Sequence, residues 1–302
     1  MAELERDPHT GYLTTGHEWN GIKELNSPVP IAVFAFIAVT HLFALIYWVL
    51  MPTWPLLTTH TKGLLNYDDR AVVEQSVKQA EQDRANWTNR IAAGSYPSIQ
   101  ADARLMQRVR ETGRTLFGDN CAGCHGREAR GANRFPDLTT DFWLWGGTPE
   151  AVAETIRVGI NSPHPNSRVS QMLAFGRDGM LKHNEIESVV AYVRHLSESD
   201  PNKPMPEALK AGVAIFSANC ASCHGETGKG NPDVGAPNLT GARWIYGNDA
   251  EAIYNSVWDG RRGYMPSWEN RLSSVERKIL VLYLLDLRGR KATSLKPINL
   301  KP

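Results

Sequence analysis

Cys121-Ala122-Gly123-Cys124-His125 and Cys220-Ala221-Ser222-Cys223-His224 contain all four cysteines of this 302-residue chain. In each stretch two thiols stand one helical turn apart and a histidine follows at once. A C-x-x-C-H run is the attachment signature of c-type haem. The two thiols add to the two vinyl groups of one porphyrin, and the adjacent histidine reaches the iron as its proximal ligand. A zinc site would bring the C-x-x-C pairs to within about 15–20 residues of each other, whereas most of a domain separates these. A thioredoxin-like redox pair would sit in a βαβ pattern, and none is visible around either motif. The reading is two covalently bound haem c groups, one on Cys121, Cys124 and His125, the other on Cys220, Cys223 and His224.

Outward from the motifs, the chain repeats itself. Gly113-x-x-x-Phe117-x-x-Asn120-Cys121 matches Gly212-x-x-x-Phe216-x-x-Asn219-Cys220. Gly131 matches Gly230, Pro136-x-Leu138-Thr139 matches Pro237-x-Leu239-Thr240, and Trp143 matches Trp244. Glu150, Gly159 and Tyr192 answer to Glu251, Gly260 and Tyr283. Apolar residues recur at helical spacing at Leu105, Val109, Leu116 and Phe117, around Val152 to Val158, and at Ile186, Val189, Val190, Val193 and Leu196. Ser197 to Pro206 has the composition of a linker. The two halves are versions of one small helical domain and resemble class I cytochrome c domains. In that class an N-terminal and a C-terminal helix cross with a haem between them.

The expected fold is therefore mainly α, with one N-terminal transmembrane helix followed by two tandem class I cytochrome c domains. The expected boundaries are a segment at 1–30, the membrane helix at 31–50 and a linker at 51–100. Domain 1 then occupies 101–197, domain 2 occupies 206–290, and a tail runs over 291–302.

An iron that does not bind small molecules needs a second axial ligand, and a soft thioether favours Fe(II) and raises the potential. In the second repeat Met265 lies where the cytochrome class places its methionine. The first repeat offers Met172 and Met180. Met172-Leu173-Ala174-Phe175 matches Met265-Pro266-Ser267-Trp268 in carrying an aromatic residue three positions on, which favours Met172. The linear sequence leaves open whether each methionine caps the iron of its own repeat or that of the other. The resemblance also implies that the carbonyls of Pro136 and Pro237 accept a hydrogen bond from the proximal imidazoles, which fixes the tautomer. Trp143 and Trp244 wall the haems, reach their propionates or simply pack in the core. For Arg157 and Arg168, solvated surface charge is a simpler account than propionate pairing.

Ile31 to Leu50 contains no Asp, Glu, Lys or Arg, and roughly 20 such residues span a hydrocarbon core of about 30 Å. Tyr47, Trp48 and Trp54 stand where an interfacial aromatic belt belongs. Met51-Pro52-Thr53-Trp54-Pro55 offers no small-residue cleavage site, so the segment reads as an uncleaved anchor. His41, midway along it, is expected to hydrogen-bond a neighbouring helix rather than face lipid. Val72, Val73, Val77 and Ala80 share one helical face of an otherwise polar spacer. A net charge of +1 suggests no nucleic-acid partner.

At family level the chain resembles the dihaem subunit, FixP/CcoP, of cbb3-type cytochrome c oxidases. The resemblance is carried by Gly16-His17-Glu18-Trp19-Asn20-Gly21-Ile22-Lys23-Glu24-Leu25-Asn26-Ser27-Pro28-Val29-Pro30 before the anchor. It is carried again by His164-Pro165-x-x-Arg168-x-Ser170-Gln171-Met172-x-Ala174-Phe175-Gly176, and by the order of one anchor and two haem repeats. Asn20 and Ser27 depart from the Asp and Asn common there. The resemblance implies a bacterial inner-membrane protein with its haem domains in the periplasm and no catalytic centre of its own. It would take electrons from a cytochrome c donor and pass them towards the mono-haem and catalytic subunits, its anchor lying among membrane lipid. The competing readings are a dihaem carrier of another membrane complex and a dihaem peroxidase.

Overall fold

The computed structural model describes residues 5–132, 134–198, 205–241 and 244–294. The core of the expected linker and the end of the expected tail lie outside these residues. The chain is mainly helical and divides into two compact units, Met1–Asp83 and Arg84–Pro302.

In the first unit, β1 (Thr14–Trp19) and β2 (Ile22–Leu25) form an antiparallel hairpin in which Trp19 pairs with Ile22. Asn20 and Gly21 both take positive φ, 50° and 85°. A two-residue turn with φ above zero at both positions matches strand twist, and Asn-Gly is its preferred pair. The Asn-Gly dipeptide is thus the local signal for a hairpin not expected from the helical pattern of the chain. Helix α1 covers Ile31–Leu50, the bounds expected of the anchor. Pro30 precedes it, and it ends where Met51 turns extended before Pro52, which lacks the N–H that a further turn would need. None of its residues is buried, and it alone among the described helices is long and apolar enough to cross a membrane. His41 Nδ1 lies 2.8 Å from the carbonyl of Ile37, one turn back in the same helix.

Helix α2 (Asp69–Ala93) leaves Val72, Val73 and Val77 exposed, so the apolar face expected there lines no core. Its far end behaves differently. Ile91 is fully buried, as is Ile99 of α3 (Tyr96–Ala101), in one cluster with Val109, Phe117 and Leu280. A first haem domain starting at residue 101 would leave Ile91 and Ile99 out of the core they belong to.

Helix α4 (Ala103–Asn120) starts at Asp102, whose carboxylate accepts from the backbone N–H of Arg104 and Leu105 at 3.0 Å each. It leads through the short α5 (Ala122–His125) and a loop to α6 (Pro149–Val158) and α7 (His183–Glu198). The second repeat follows as α8 (Lys210–Asn219), α9 (Ala221–His224), α10 (Ala250–Asp259) and α11 (Ser274–Ser294). The last helix thus continues into what was expected to be tail.

The C-terminal helix of each repeat packs on the other repeat. Helix α4 packs on α11, and α7 packs on α8. A Cβ on Gly113 would stand 2.7 Å from Cβ of Tyr283 in α11, and one on Gly212 would stand 2.9 Å from Cβ of Tyr192 in α7. Each glycine is the place where two helices cross too closely for a side chain. One core therefore joins α4 and α6 to α11, and the other joins α8 and α10 to α7. The domains follow each other in sequence, but their C-terminal helices are exchanged in space.

Gly159 and Gly260, ending α6 and α10, mark the exchange, with φ of 72° and 68°. Beyond them Ile160 and Met265 exchange two backbone hydrogen bonds of 2.9 Å, and Met172 and Arg261 exchange two of 2.8 and 3.1 Å. Each methionine segment is thereby tied to the opposite repeat.

Candidate functional site

The two C-x-x-C-H turns are built alike. Cys121 closes α4 with its N–H on the carbonyl of Phe117 (2.8 Å), and the N–H of His125 bonds back to the carbonyl of Cys121 (3.0 Å). Gly126 then reverses the chain at φ 73°. The N–H of Gly131 returns to the carbonyl of His125 at 2.9 Å. At φ 77°, any Cβ on Gly131 would stand 2.9 Å from the backbone of Pro136. This tight return carries the Pro136 carbonyl to within 3.2 Å of His125 Nδ1. In the second repeat His224 Nδ1 lies 3.0 Å from the carbonyl of Pro237. A carbonyl only accepts, so Nδ1 carries the proton in both histidines and Nε2 keeps its lone pair free.

Burial pulls both histidines below the ordinary imidazole value, only partly opposed by these bonds. A neutral imidazole is the form that ligates a metal. No disulfide joins any two of the four cysteines. Burial, and then the charge of the neighbouring cysteine, pushes Cys121 and Cys220 up to about 11. Each half thus offers two thiols and one neutral nitrogen on a single turn, the donor set that a covalently held haem requires.

The cavity beside His125 has a volume of about 980 Å³ and is lined by Pro136, Trp143, Met265, Leu284 and Arg288, and also by Pro237 and Trp244 from the loop after the second motif. The methionine in this cavity belongs to the second repeat. Met172 instead packs on the other core, with Cys220, Trp244 and Phe216. Met180 is half exposed.

Trp143 and Trp244 do not aim their indole N–H groups into the cavity. They donate to carbonyls of their own loops, Thr140 at 2.7 Å and Gly241 at 3.0 Å. Arg157 is held by Glu154 and Glu269, at 2.8 and 2.7 Å. Sequence reading passed over Glu269, which also takes a 2.7 Å bond from His164 Nε2. Its partners are 105 and 112 residues away along the chain, and no local pattern announces them. His164, then Arg157, hold the Glu269 carboxyl down at about 2.

This cluster ties the segment after Met265 to α6, where Ser267 also donates to the carbonyl of Arg157 at 2.8 Å. Because the folded value is depressed, the contribution is complete above the ordinary carboxylate value and fades as pH falls towards about 2. Glu269→Gln is expected to lower the thermal midpoint at neutral pH and to flatten its dependence on pH between 4.5 and 2. Melting curves followed by circular dichroism check this, and parallel pH dependences in the two proteins would refute it.

Three family models match the chain. Residues 11–58 match the family model for the N-terminal domain of cytochrome oxidase-cbb3, FixP. Residues 110–197 match cytochrome c, and residues 207–284 match cytochrome c oxidase, cbb3-type, subunit III. The chain is 44% identical over 287 residues to a cbb3-type cytochrome c oxidase subunit FixP of Bradyrhizobium sp. (strain ORS 278), covering 95% of this chain and 98% of that one. It is 39% identical over 293 residues to the FixP subunit of Rhizobium meliloti (strain 1021), covering 96% and 99%. To the CcoP subunit of Azospirillum brasilense it is 38% identical over 298 residues, covering 96% and 100%.

Proposed function

Because this chain belongs to the FixP/CcoP family of cbb3-type cytochrome c oxidase subunits, we propose a specific route for electrons through it. The protein is a membrane-anchored electron-transfer subunit with two covalently bound haem c groups. One is held by Cys121, Cys124 and His125, the other by Cys220, Cys223 and His224, and the histidines supply the proximal nitrogens through Nε2. The sulfur ligands would cross, Met265 serving the haem held at His125 and Met172 the haem held at His224. The observation that carries this pairing is that His125 and Met265 line one cavity, while Met172 packs against the same core as Cys220.

Haem supplies reversible one-electron chemistry, and these residues set where it occurs. The cysteines fix each porphyrin to a helix end. The Pro136 and Pro237 carbonyls orient the imidazoles and make them more basic. The methionine sulfurs favour the reduced iron. With a histidine and a methionine available to each haem, the chain would leave no open position for substrate, would need no catalytic centre of its own, and would relay electrons from a cytochrome c donor. The acceptors are the mono-haem and catalytic subunits of the oxidase. Covalent haem attachment places everything after α1 on the periplasmic side, with residues 1–30 in the cytoplasm and α1 in contact with lipid and the catalytic subunit.

The test uses the oxidase purified with this chain. Pyridine haemochrome analysis is expected to give two covalently bound haems for this subunit, and one after Cys220→Ala with Cys223→Ala. In that one-haem variant, Met265→Ala is expected to turn the remaining haem high-spin, and Met172→Ala to leave it low-spin. The reverse pattern would assign each methionine to its own repeat, and an unchanged haem count would remove the second attachment site.

A further inference from the structure

We propose that Asn161 is the positioning residue for both axial methionines, a single amide that clasps the Met172 segment to the Met265 segment. The inference rests on the reading of those two sulfurs as iron ligands and goes beyond it in naming what holds them in place. It stands whichever iron each sulfur caps. Asn161 lies two residues past Gly159 and takes φ 49°, a left-handed conformation that asparagine and glycine accept and most other residues avoid. Its backbone N–H donates to the carbonyl of Arg168 at 2.7 Å. Its side chain bonds to the backbone of both methionine segments. Nδ2 donates to the carbonyl of Ser170 at 2.8 Å and to the carbonyl of Gly263 at 2.7 Å. Oδ1 accepts from the N–H of Ser170 at 3.2 Å. Ser170 stands two residues before Met172, and Gly263 two residues before Met265.

The partners fix which way the amide points. Both carbonyls can only accept, so both must face the NH2 group, and a flipped amide would set oxygen against oxygen. Its two donors are thus divided, one to each segment. The adjoining backbone works in the same direction. Ile160 exchanges two 2.9 Å bonds with Met265, and Met172 is paired with Arg261. Each of these pairings ties one methionine segment to one crossing, whereas the Asn161 side chain spans both segments.

The duplication does not repeat the clasp. Gly159-Ile160-Asn161 answers to Gly260-Arg261-Arg262, and Arg262 is exposed. A guanidinium has no acceptor for a backbone N–H, so it cannot reproduce this bonding. One residue of the first half therefore serves both halves. Such a clasp matters because methionine is unbranched with three rotatable bonds, and its sulfur stays over one point only if its backbone is held. Groups that orient a metal ligand are typically worth about 10–100-fold in metal affinity.

Asn161→Gly in the purified oxidase tests this, because glycine keeps the backbone conformation and removes the amide alone. Amide hydrogen exchange at Ser170, Met172 and Met265 is expected to quicken by about tenfold, as for the loss of roughly one net hydrogen bond. The red charge-transfer band that methionine sulfur gives oxidised haem c is expected to weaken in both haems, and both midpoint potentials to fall. Asn161→Asp retains an acceptor for Ser170 but no donor, and is expected to do no better than glycine. Bands and potentials unchanged in Asn161→Gly would overturn the proposal, even if exchange quickened. An effect confined to one haem, or full recovery in Asn161→Asp, would overturn it too. The axial reading fails by a different result, with Asn161 intact: Met172→Ala and Met265→Ala each leaving both haems low-spin.

Discussion

Met265→His in the intact oxidase should lower the midpoint potential of the haem on the first motif by a sizeable part of the roughly 0.8 V that axial ligands span, and leave the haem on the second motif unchanged. The thioether is a soft ligand that favours Fe(II), and an imidazole in its place favours Fe(III). The direction follows from ligand chemistry alone, but the choice of haem follows from the backbone. Met265 is locked to Ile160 by two 2.9 Å hydrogen bonds, and its side chain lines the cavity of His125. Met172→His should lower the other haem instead. Spectroelectrochemical titration of each variant, with Cys220→Ala and Cys223→Ala removing the second haem for reference, reads the assignment. A drop confined to the second haem in Met265→His would show that each repeat caps its own iron.

Gly113→Ala should cost about 1–3 kcal/mol of stability, the range for forcing a methyl group into a packed contact. Replacing Tyr283, from the other repeat, should recover part of that cost. The added Cβ would stand 2.7 Å from Cβ and 2.8 Å from Cγ of Tyr283, so backbone or ring must shift. In Tyr283→Ala the ring is gone and the helices can adjust, which gives a coupling energy in a double-mutant cycle. Tyr192, the residue that repeat symmetry would set against Gly113, lies on Gly212 instead. Gly113→Ala with Tyr192→Ala should therefore be additive. Equilibrium unfolding of the four-member cycles measures this without reference to haem content. Coupling to Tyr192 in place of Tyr283 would mean that the C-terminal helices are not exchanged.

Much of the chain was legible because its signals are local. The C-x-x-C-H turns lie within five residues, and the bounds of α1 follow from an unbroken apolar run. Pro136 and Pro237 were placed correctly, since the bond to each histidine closes a loop of 11 or 13 residues. Helical periodicity identified the buried faces of α4 and α7. Errors came where one residue's environment is supplied from far along the chain. Trp143 and Trp244 were left between walling the haems, reaching propionates and packing in the core, and carbonyls three residues back take their N–H groups. Arg157 resembled solvated surface charge, but Glu269, 112 residues on, holds it. Arg168 resembled it as well, and Trp145, over whose ring its guanidinium lies, belongs to a separate loop. Asn20-Gly21 was a readable turn signal overlooked beside the stronger pattern of the anchor.

Residue order alone determined that this protein carries two haem c groups on duplicated helical domains behind one membrane anchor, because spacing within a turn and apolar length are properties of short segments. Only the tertiary structure decided on which repeat each C-terminal helix packs and to which repeat each methionine segment is tied. The physical reason lies in the duplication itself. Both repeats present nearly the same apolar faces and the same close-crossing glycines, so packing within a repeat and packing across repeats satisfy the same local rules. What separates them is the reciprocal backbone pairing beyond Gly159 and Gly260, a contact between segments about a hundred residues apart.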